Sequence, residues 1–438
     1  MSVKKVGGLV LTLALVCALF SGCSPKEADK EVHLTLKVPL LSQTSPVDPE
    51  IDSAGAFLEK AADAYMKEHP QVKIDVVVFG LTEEDASITD CFDTEDAADI
   101  LYEGYFNMAG YVHTGRVVPL DDIISQELRE DIPDTLWTMS QADGKTYMMP
   151  FLSLENVLSY NKALFRQSGL DAYIAEDNRI QAWTLEEWEN ILDTLAANRP
   201  ESTFPMMMYA KNDQGDTHIM TLLRSQGSRF FDESGHFNLN TPEGIAALRW
   251  LKDGYGKGWF PAKCENLEII DNATMFTAGQ LAVYICNNAT FSYESVETGY
   301  VNFPSSDGKG MATSFVTGFE VFDNGDPAAV EASKDFVKYI YENEEWLDYS
   351  AGGIPASGRT AEKYKDDIIM LEEFYKNSAN IVDFTANNPN WRGVRDVFWP
   401  HIHALLEGTE TPEEAAKGID EDCNAAIEKG WADSVLHE

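Results

Sequence analysis

Residues 143–170, DGKTYMMPFLSLENVLSYNKALFRQSGL, hold two short apolar runs in tandem with no turn residues between them. The stretch begins with a polar glycine turn. The first run, 147–151, carries Pro150 inside it, and the second, 156–160, leads into a helix-like segment that stops near Gly169. A hairpin needs turn chemistry between its strands, and a proline removes a ladder donor, so this pair is unlike a hairpin. It reads as one extended segment that leaves one sheet and enters another. At 438 residues the chain is too long for one ordinary core and fits two domains. A crossing segment in such a chain implies two lobes with a cleft between them, and clefts between domains are where small ligands bind.

Apolar residues make up 44% of the chain, enough for a sizeable core. The formal net charge of −40 argues against a nucleic-acid partner, whose phosphates it would repel. Its first meaning is a solvated acidic surface that keeps an exported protein in solution. It leaves the ligand open, because the charge of a cleft can differ from that of the surface.

From residue 32 the pattern runs strand, helix, strand. Residues 32–40 alternate as a first strand, and 56–69 place Phe57, Leu58, Ala61 and Tyr65 on one helical face, ended by Pro70. Val72, Ile74, Val76 and Val78 alternate as a second strand, and Ile100-Leu101 sit in a third. This order implies a mostly parallel sheet with helices on its faces. Beyond the crossing, Thr184 with Glu187 and Thr411 with Glu414 read as capping boxes. Thr241-Pro242, Asp326-Pro327 and Thr411-Pro412 read as N-caps with proline at the first helical position. Further strands are expected at 204–209, 281–286, 300–303 and 315–322.

The first 23 residues read as an export signal. Lys4 and Lys5 precede an uncharged run at 6–20, shorter than the roughly 20 apolar residues of a membrane span. Ser21 and Gly22 directly before Cys23 resemble the bacterial lipobox, in which that cysteine is lipidated and becomes the new N-terminus. Residues 24–31 then suit a short tether. Four cysteines remain, Cys91, Cys264, Cys286 and Cys423, with no CxxC spacing. They can be disulfides or buried thiols, since export permits both.

Several landmarks follow in order: FLEKAADAYMKEHPQVKIDV at 57–76, the segment 99–120 ending in GRVVPL, the crossing at 144–170, TLEEW at 184–188, FTAGQLAV at 276–283, and PEEA at 412–415. In that order they resemble the extracellular solute-binding proteins of ABC importers, the group that includes maltose- and oligosaccharide-binding proteins. The resemblance spans nearly the whole chain. It departs from the family pattern at Leu185, where a tryptophan is usual, and at Ala289, where the "Gly-x-Trp" tryptophan is missing.

The resemblance implies an α/β, two-lobe periplasmic-binding-protein fold of type II, each lobe a mostly parallel sheet flanked by helices and joined by a hinge. After a signal peptide (1–22) and tether (23–31), the N-terminal lobe takes 32–150 plus 315–353 and the C-terminal lobe 151–312 plus 354–438. It implies a substrate-binding lipoprotein on the extracytoplasmic face of the bacterial cell membrane, a monomer lipidated at Cys23. Such a protein captures a carbohydrate, here an oligosaccharide, and delivers it to the membrane permease with no chemistry and no cofactor. Ligand positions carried over by motif are Ser42, Gln43, Glu103, Tyr105, Ser153, Glu155, Tyr209, Asn287, Asn288, Phe291, Gly318, Trp391, Arg392 and Arg395. Aromatics there would cover the apolar faces of a sugar, and polar groups would bind its hydroxyls. Gly318 would let backbone approach the ligand. Arg392 and Arg395 either recognise an acidic sugar or bridge to nearby carboxylates.

Alternatives from other classes are a binder of a polyamine or peptide and a secreted glycoside hydrolase. Among 73 carboxylates some pair at glycosidase spacing in any fold. His401 and His403 lie two apart on a helix and point in different directions, which does not suit a metal pair. The sequence carries no HExxH, GxSxG or Walker pattern.

Overall fold

The alternating run after residue 31 forms β1 (Val32–Pro39), with Leu34, Leu36 and Val38 buried. The computed structural model describes residues 31–436 except 45–46, 81–82, 84–86, 178, 214–215, 288–295 and 386, and the side chains of 286–287. Ser53 caps the helix Ala54–Glu68 by accepting a hydrogen bond from the Ala56 amide, one of the donors that every helix start leaves unpaired. Phe57, Leu58, Ala61 and Tyr65 form its buried stripe, at the 3.6-residue period. Complete burial of Phe57 and Leu58 contributes about 1.5–3 kcal/mol each. The chain returns as β2 (Val72–Phe79), parallel to β1, and β3 (Ile100–Gly104) pairs in parallel on the other side of β1.

Asp143 and Gly144 take left-handed backbone, φ 48° and 73°, and turn the chain between β4 (Gln141–Ala142) and β5 (Lys145–Thr146). Two successive positive φ values match the twist of the flanking strands. The two tandem runs beyond are one strand, β6 (Met148–Asn161), buried along nearly all its length. The remaining strands are β7 (Ile180–Gln181), β8 (Val283–Asn287), β9 (Thr298–Val301), β10 (Thr313–Val321) and β11 (Ile354–Pro355). One sheet runs in the order β2-β1-β3-β10-β6-β9-β7, with β8 and β11 also on β6. The crossing is therefore a single strand shared by both lobes.

The sheet is mixed where a mostly parallel one was expected. β1–β2, β1–β3 and β7–β9 are parallel, whereas β10 is antiparallel to β3 and β6, and β6 is antiparallel to β8, β9 and β11. The reason lies in the path of the chain: β6 carries it out of the first lobe and β10 brings it back, so neighbours at the crossing run in opposite directions. Pro150 is tolerated in β6 because the register shifts between Thr317 and Gly318 of β10, beside it.

Each lobe has its own apolar cluster. Phe151 and Leu152 pack in the first, with Phe57 and Tyr102, and Leu158 packs in the second, with Trp188, Trp259 and Phe398. Val157 joins a small third cluster with Tyr300, Ala312, Ile354, Leu371 and Phe374 between the two. The second-lobe helices Leu185–Asn198 and Pro412–Asp433 carry the Thr184 and Thr411 capping boxes, and Thr241 and Asp326 cap helices that open on proline. The expected strand at 204–209 is only a bridge from Phe204 to Leu281. Pro205 follows it without an amide hydrogen, and the Met206 amide donates to the Trp259 carbonyl, so the ladder does not extend. Cys91, Cys264 and Cys423 are free thiols, and burial pushes the Cys264 thiol up to about 12. Among the described residues no helix is long and apolar enough to cross a membrane.

Candidate binding site

The lobes meet along a seam built by aromatic residues from both. Beyond β3, the turn Tyr105–Asn107 presents two rings, Tyr105 and Phe106, with centroids 4.5 Å apart. Phe106 meets Phe315 of β10 edge-on at 5.0 Å, and Phe315 faces His218 of the second lobe at 6.0 Å. The Tyr209 hydroxyl lies 3.1 Å from His218 Nδ1, and the Tyr105 hydroxyl donates to Asp383 Oδ1 of the second lobe at 3.4 Å. Each ring pair is worth about 0.5–1.5 kcal/mol beyond the area it buries.

His218 is buried on the helix Asp216–Ser225, and its Nε2 has no hydrogen-bond partner among the described residues. Burial holds its pKa down at about 4, so at neutral pH it is an uncharged ring able to give or accept a hydrogen bond. Tyr105 is pushed well above the usual phenol range, first by burial and then by the Asp383 charge. Asp216 is raised by burial and pulled back by Arg395, whose Nε donates to its Oδ2 at 2.8 Å. Arg395 also pairs with Asp213 at 3.2 Å, so its charge is met by two carboxylates. Of the two readings of this arginine, bridging is what the geometry shows.

Next to the seam a groove of about 200 Å³ opens between Phe106, Asn107 and Gly110 of the first lobe and Asn390, Trp391 and Arg392 of the second. Trp391 is buried, with no hydrogen-bond partner for its Nε1 among the described residues, and Arg392 is exposed at the rim. A second hollow of about 190 Å³ continues past His113 to Gly430 and Ser434. There the C-terminal segment touches the first lobe. The Ser434 hydroxyl lies 2.8 Å from His113 Nδ1, and the Val435 amide donates to the His113 carbonyl at 3.0 Å. Ligand pockets run at about 300–1,000 Å³, and each of these two hollows is smaller than that.

The seam and groove thus gather Tyr105, Tyr209, Trp391 and Arg392 from the residues expected in sequence, with Arg395 and buried Glu103 beside them. Other expected residues have partners within the first lobe or beside β6. Ser42 is exposed and donates to the Asp52 carbonyl at 3.4 Å. Gln43 accepts from the Tyr102 hydroxyl at 3.0 Å and donates to the Tyr349 carbonyl at 3.3 Å. Ser153 Oγ lies 2.6 Å from Ser314 Oγ. Glu155, fully buried, accepts from Asn377 at 2.5 Å, and Asn377 in turn exchanges hydrogen bonds with Asn302. Burial raises Glu155 to about 8, against the opposing pull of Asn377. At Gly318 the close neighbour is the adjacent strand, since an added Cβ would stand 2.2 Å from the Met149 carbonyl oxygen. Asn287 ends β8, its side chain lies outside the described residues, and so do Asn288, Phe291 and Cys23.

Phe106, His218, Phe315 and Asp383 were not foreseen. His218 alone had a local signal, a polar NDQGDTH run opening an apolar helix. His401 sits by Glu410 and Asp422 while His403 faces the Ala210 carbonyl, so the two histidines diverge. Among the described residues no His, Cys, Asp and Glu side chains form a group of three that could hold a metal ion.

Comparison with known proteins agrees with this architecture. A family model described as bacterial extracellular solute-binding protein matches residues 48–345. The chain is 22% identical over 444 residues to the diacetylchitobiose binding protein DasA of Streptomyces coelicolor, covering 96% of this chain and 97% of the relative. It is 19% identical over 392 residues to a putative binding protein of Brucella abortus, covering 86% and 90%. The solved structure of the sugar-binding protein MalE from Xanthomonas citri superposes with a TM-score of 0.71 at 15% identity, over 91% of this chain and 98% of that one.

Proposed function

Because the chain belongs to the bacterial extracellular solute-binding protein family, we propose that it captures a carbohydrate, an oligosaccharide, between its lobes and delivers it to the permease of an ABC importer. It is an extracytoplasmic binding protein and not an enzyme. In this reading Cys23 carries the lipid anchor and the protein acts as a monomer. The lobes are 32–150 with 315–353 and 151–312 with 354–438, joined through β6, whose first residues past the boundary, Phe151 and Leu152, still pack in the cluster of the first lobe.

The observation that carries the reading is the seam itself. Tyr105 and Phe106 from one lobe meet Asp383 and, through Phe315, His218 from the other, so closure brings ring faces together with the neutral His218 ring, the Tyr105 hydroxyl and the Asp383 carboxylate. Ring faces suit the apolar faces of a sugar, and neutral donors and acceptors suit its hydroxyls. The binding of diacetylchitobiose by the Streptomyces coelicolor relative supports the same solute class.

Thermal unfolding of the full chain in detergent, across a panel of oligosaccharides, polyamines and peptides, tests this. A cognate glycan at 100 times its Kd stabilises by about 2.7 kcal/mol, and chromatography recovers it intact. Stabilisation by a polyamine or peptide and by no glycan refutes the carbohydrate reading, and a cleaved glycan refutes the assignment as a binder.

A further inference from the structure

The last helix, Pro412–Asp433, belongs to the second lobe, where its Ala415, Ile419, Cys423 and Ile427 pack in the apolar cluster. The chain continues past its end. Ser434 leaves the helix in extended backbone, φ −70° and ψ 131°, and carries Val435 onto the helix Met108–His113. That helix belongs to the first lobe, since its Met108, Tyr111 and Val112 pack in the other cluster. The Ser434 hydroxyl lies 2.8 Å from His113 Nδ1, and the Val435 amide donates to the His113 carbonyl at 3.0 Å. The Trp431 ring meets the His113 ring edge-on at 4.8 Å. His113 and Ser434 are buried, so water does not compete freely for their contact.

The two lobes approach this closely because two glycines face the second lobe. A Cβ on Gly110 would stand 3.2 Å from the Pro389 carbonyl oxygen, and one on Gly115, φ 75°, would stand 2.8 Å from Val435 Cγ2. The turn Tyr105–Asn107 runs directly into the helix Met108–His113. At 1.5 Å per residue that helix is a rod of about 9 Å, with the seam at its start and the tail at its end. Val435 and Leu436 are exposed and belong to neither apolar cluster, so the tail adds nothing to the core of either lobe. What it adds is a tie between them.

We propose that residues 434–436 are a strap that holds the lobes in the closed arrangement, a regulator of opening that lies outside the seam and touches no solute. The proposal rests on the reading of the chain as a two-lobe binder. Opening that draws Tyr105 away from Asp383 carries His113 away from Ser434 and Val435, because one short helix links the two places. A solute that binds the closed form has its apparent affinity scaled by the fraction of molecules that are closed. Two hydrogen bonds of ordinary net strength shift that balance by about tenfold, so the strap keeps the cleft ready to grip.

Hydrogen exchange read by mass spectrometry, on the full chain in detergent and without solute, tests this. It is compared with a chain ended after Asp433, with Val435→Pro, which removes the donating amide, and with Val435→Ala, which keeps it. In the first two, exchange should rise about tenfold on both sides of the seam, at 105–107 and at 383–385. Val435→Ala should stay close to the parent. A rise confined to 108–115 and 430–433 means that the tail only steadies the elements it touches, and overturns the proposal. Unchanged exchange at the seam in both strap-free chains overturns it as well. If the shortened chain loses its cooperative thermal unfolding, Val435→Pro decides the matter. No solute enters the measurement, so its outcome and that of the carbohydrate panel are read independently.

Discussion

Glu155→Gln replaces a fully buried carboxyl on β6 with a group of the same shape that has no proton to lose. Glutamine keeps the oxygen that accepts from Asn377 at 2.5 Å, so the Asn302–Asn377 contacts have no reason to rearrange. In the folded protein burial raises Glu155 from its ordinary 4.5 to about 8. Between those values the folded chain holds a proton that the unfolded chain has released. Stability from the neutral carboxyl is therefore full below pH 4.5 and falls as pH rises, until it levels off near 8. Each pH unit in that window is worth about 1.4 kcal/mol. At pH 7 the glutamine variant should be more stable than the parent by up to about 3 kcal/mol, with little difference near pH 4.5. Urea unfolding of both proteins at intervals from about pH 5 to 9 measures the gap, and all other titrating groups cancel in the difference. A gap that stays constant across that range refutes the idea that a neutral acid is buried on β6.

Phe106→Ala removes the ring between Tyr105 and Phe315, and should weaken binding of the cognate glycan at least tenfold by calorimetry while the protein stays folded. With His218 held at about 4 by burial, glycan affinity should show no break near pH 6.5, whereas an imidazole open to water would produce one. His218→Ala should lower affinity across the whole range from about pH 5 to 8. Gly318→Ala would place a Cβ 2.2 Å from the Met149 carbonyl oxygen; the strands must part, and thermal unfolding should show a loss of several kcal/mol, about 3 or more.

Local chemistry made much of the fold legible. The Asp143-Gly144 turn, the Thr184 and Thr411 boxes and the proline-opened helices all depend on residues within a few positions of one another. The unbroken β6 could be inferred because two apolar runs without a turn have nowhere to bend. Strand direction beside it could not, since it depends on β10 returning more than 150 residues later. Pro205 likewise cut short a strand that the apolar run at 204–209 suggested. Of the candidate site, Tyr105, Tyr209 and Trp391 could each be named from its own segment, and the structure places them at the seam or its groove. The site was opaque where the contact joins distant segments. Phe106, His218, Phe315 and Asp383 come from four places in the chain, and nothing local marks them as neighbours. Gln43 and Glu155 show the converse, polar residues in plausible loop and crossing positions whose partners, Tyr102, Tyr349 and Asn377, lie far off in sequence.

The hold of Ser434 and Val435 on His113 has a practical side. A reporter or purification handle joined after the last residue would begin where the C-terminal segment meets the first lobe, and would act on any parting of the two halves there. Immobilising the protein through that end would distort affinity measurements, so a handle placed in an exposed loop of the first lobe is the sounder choice.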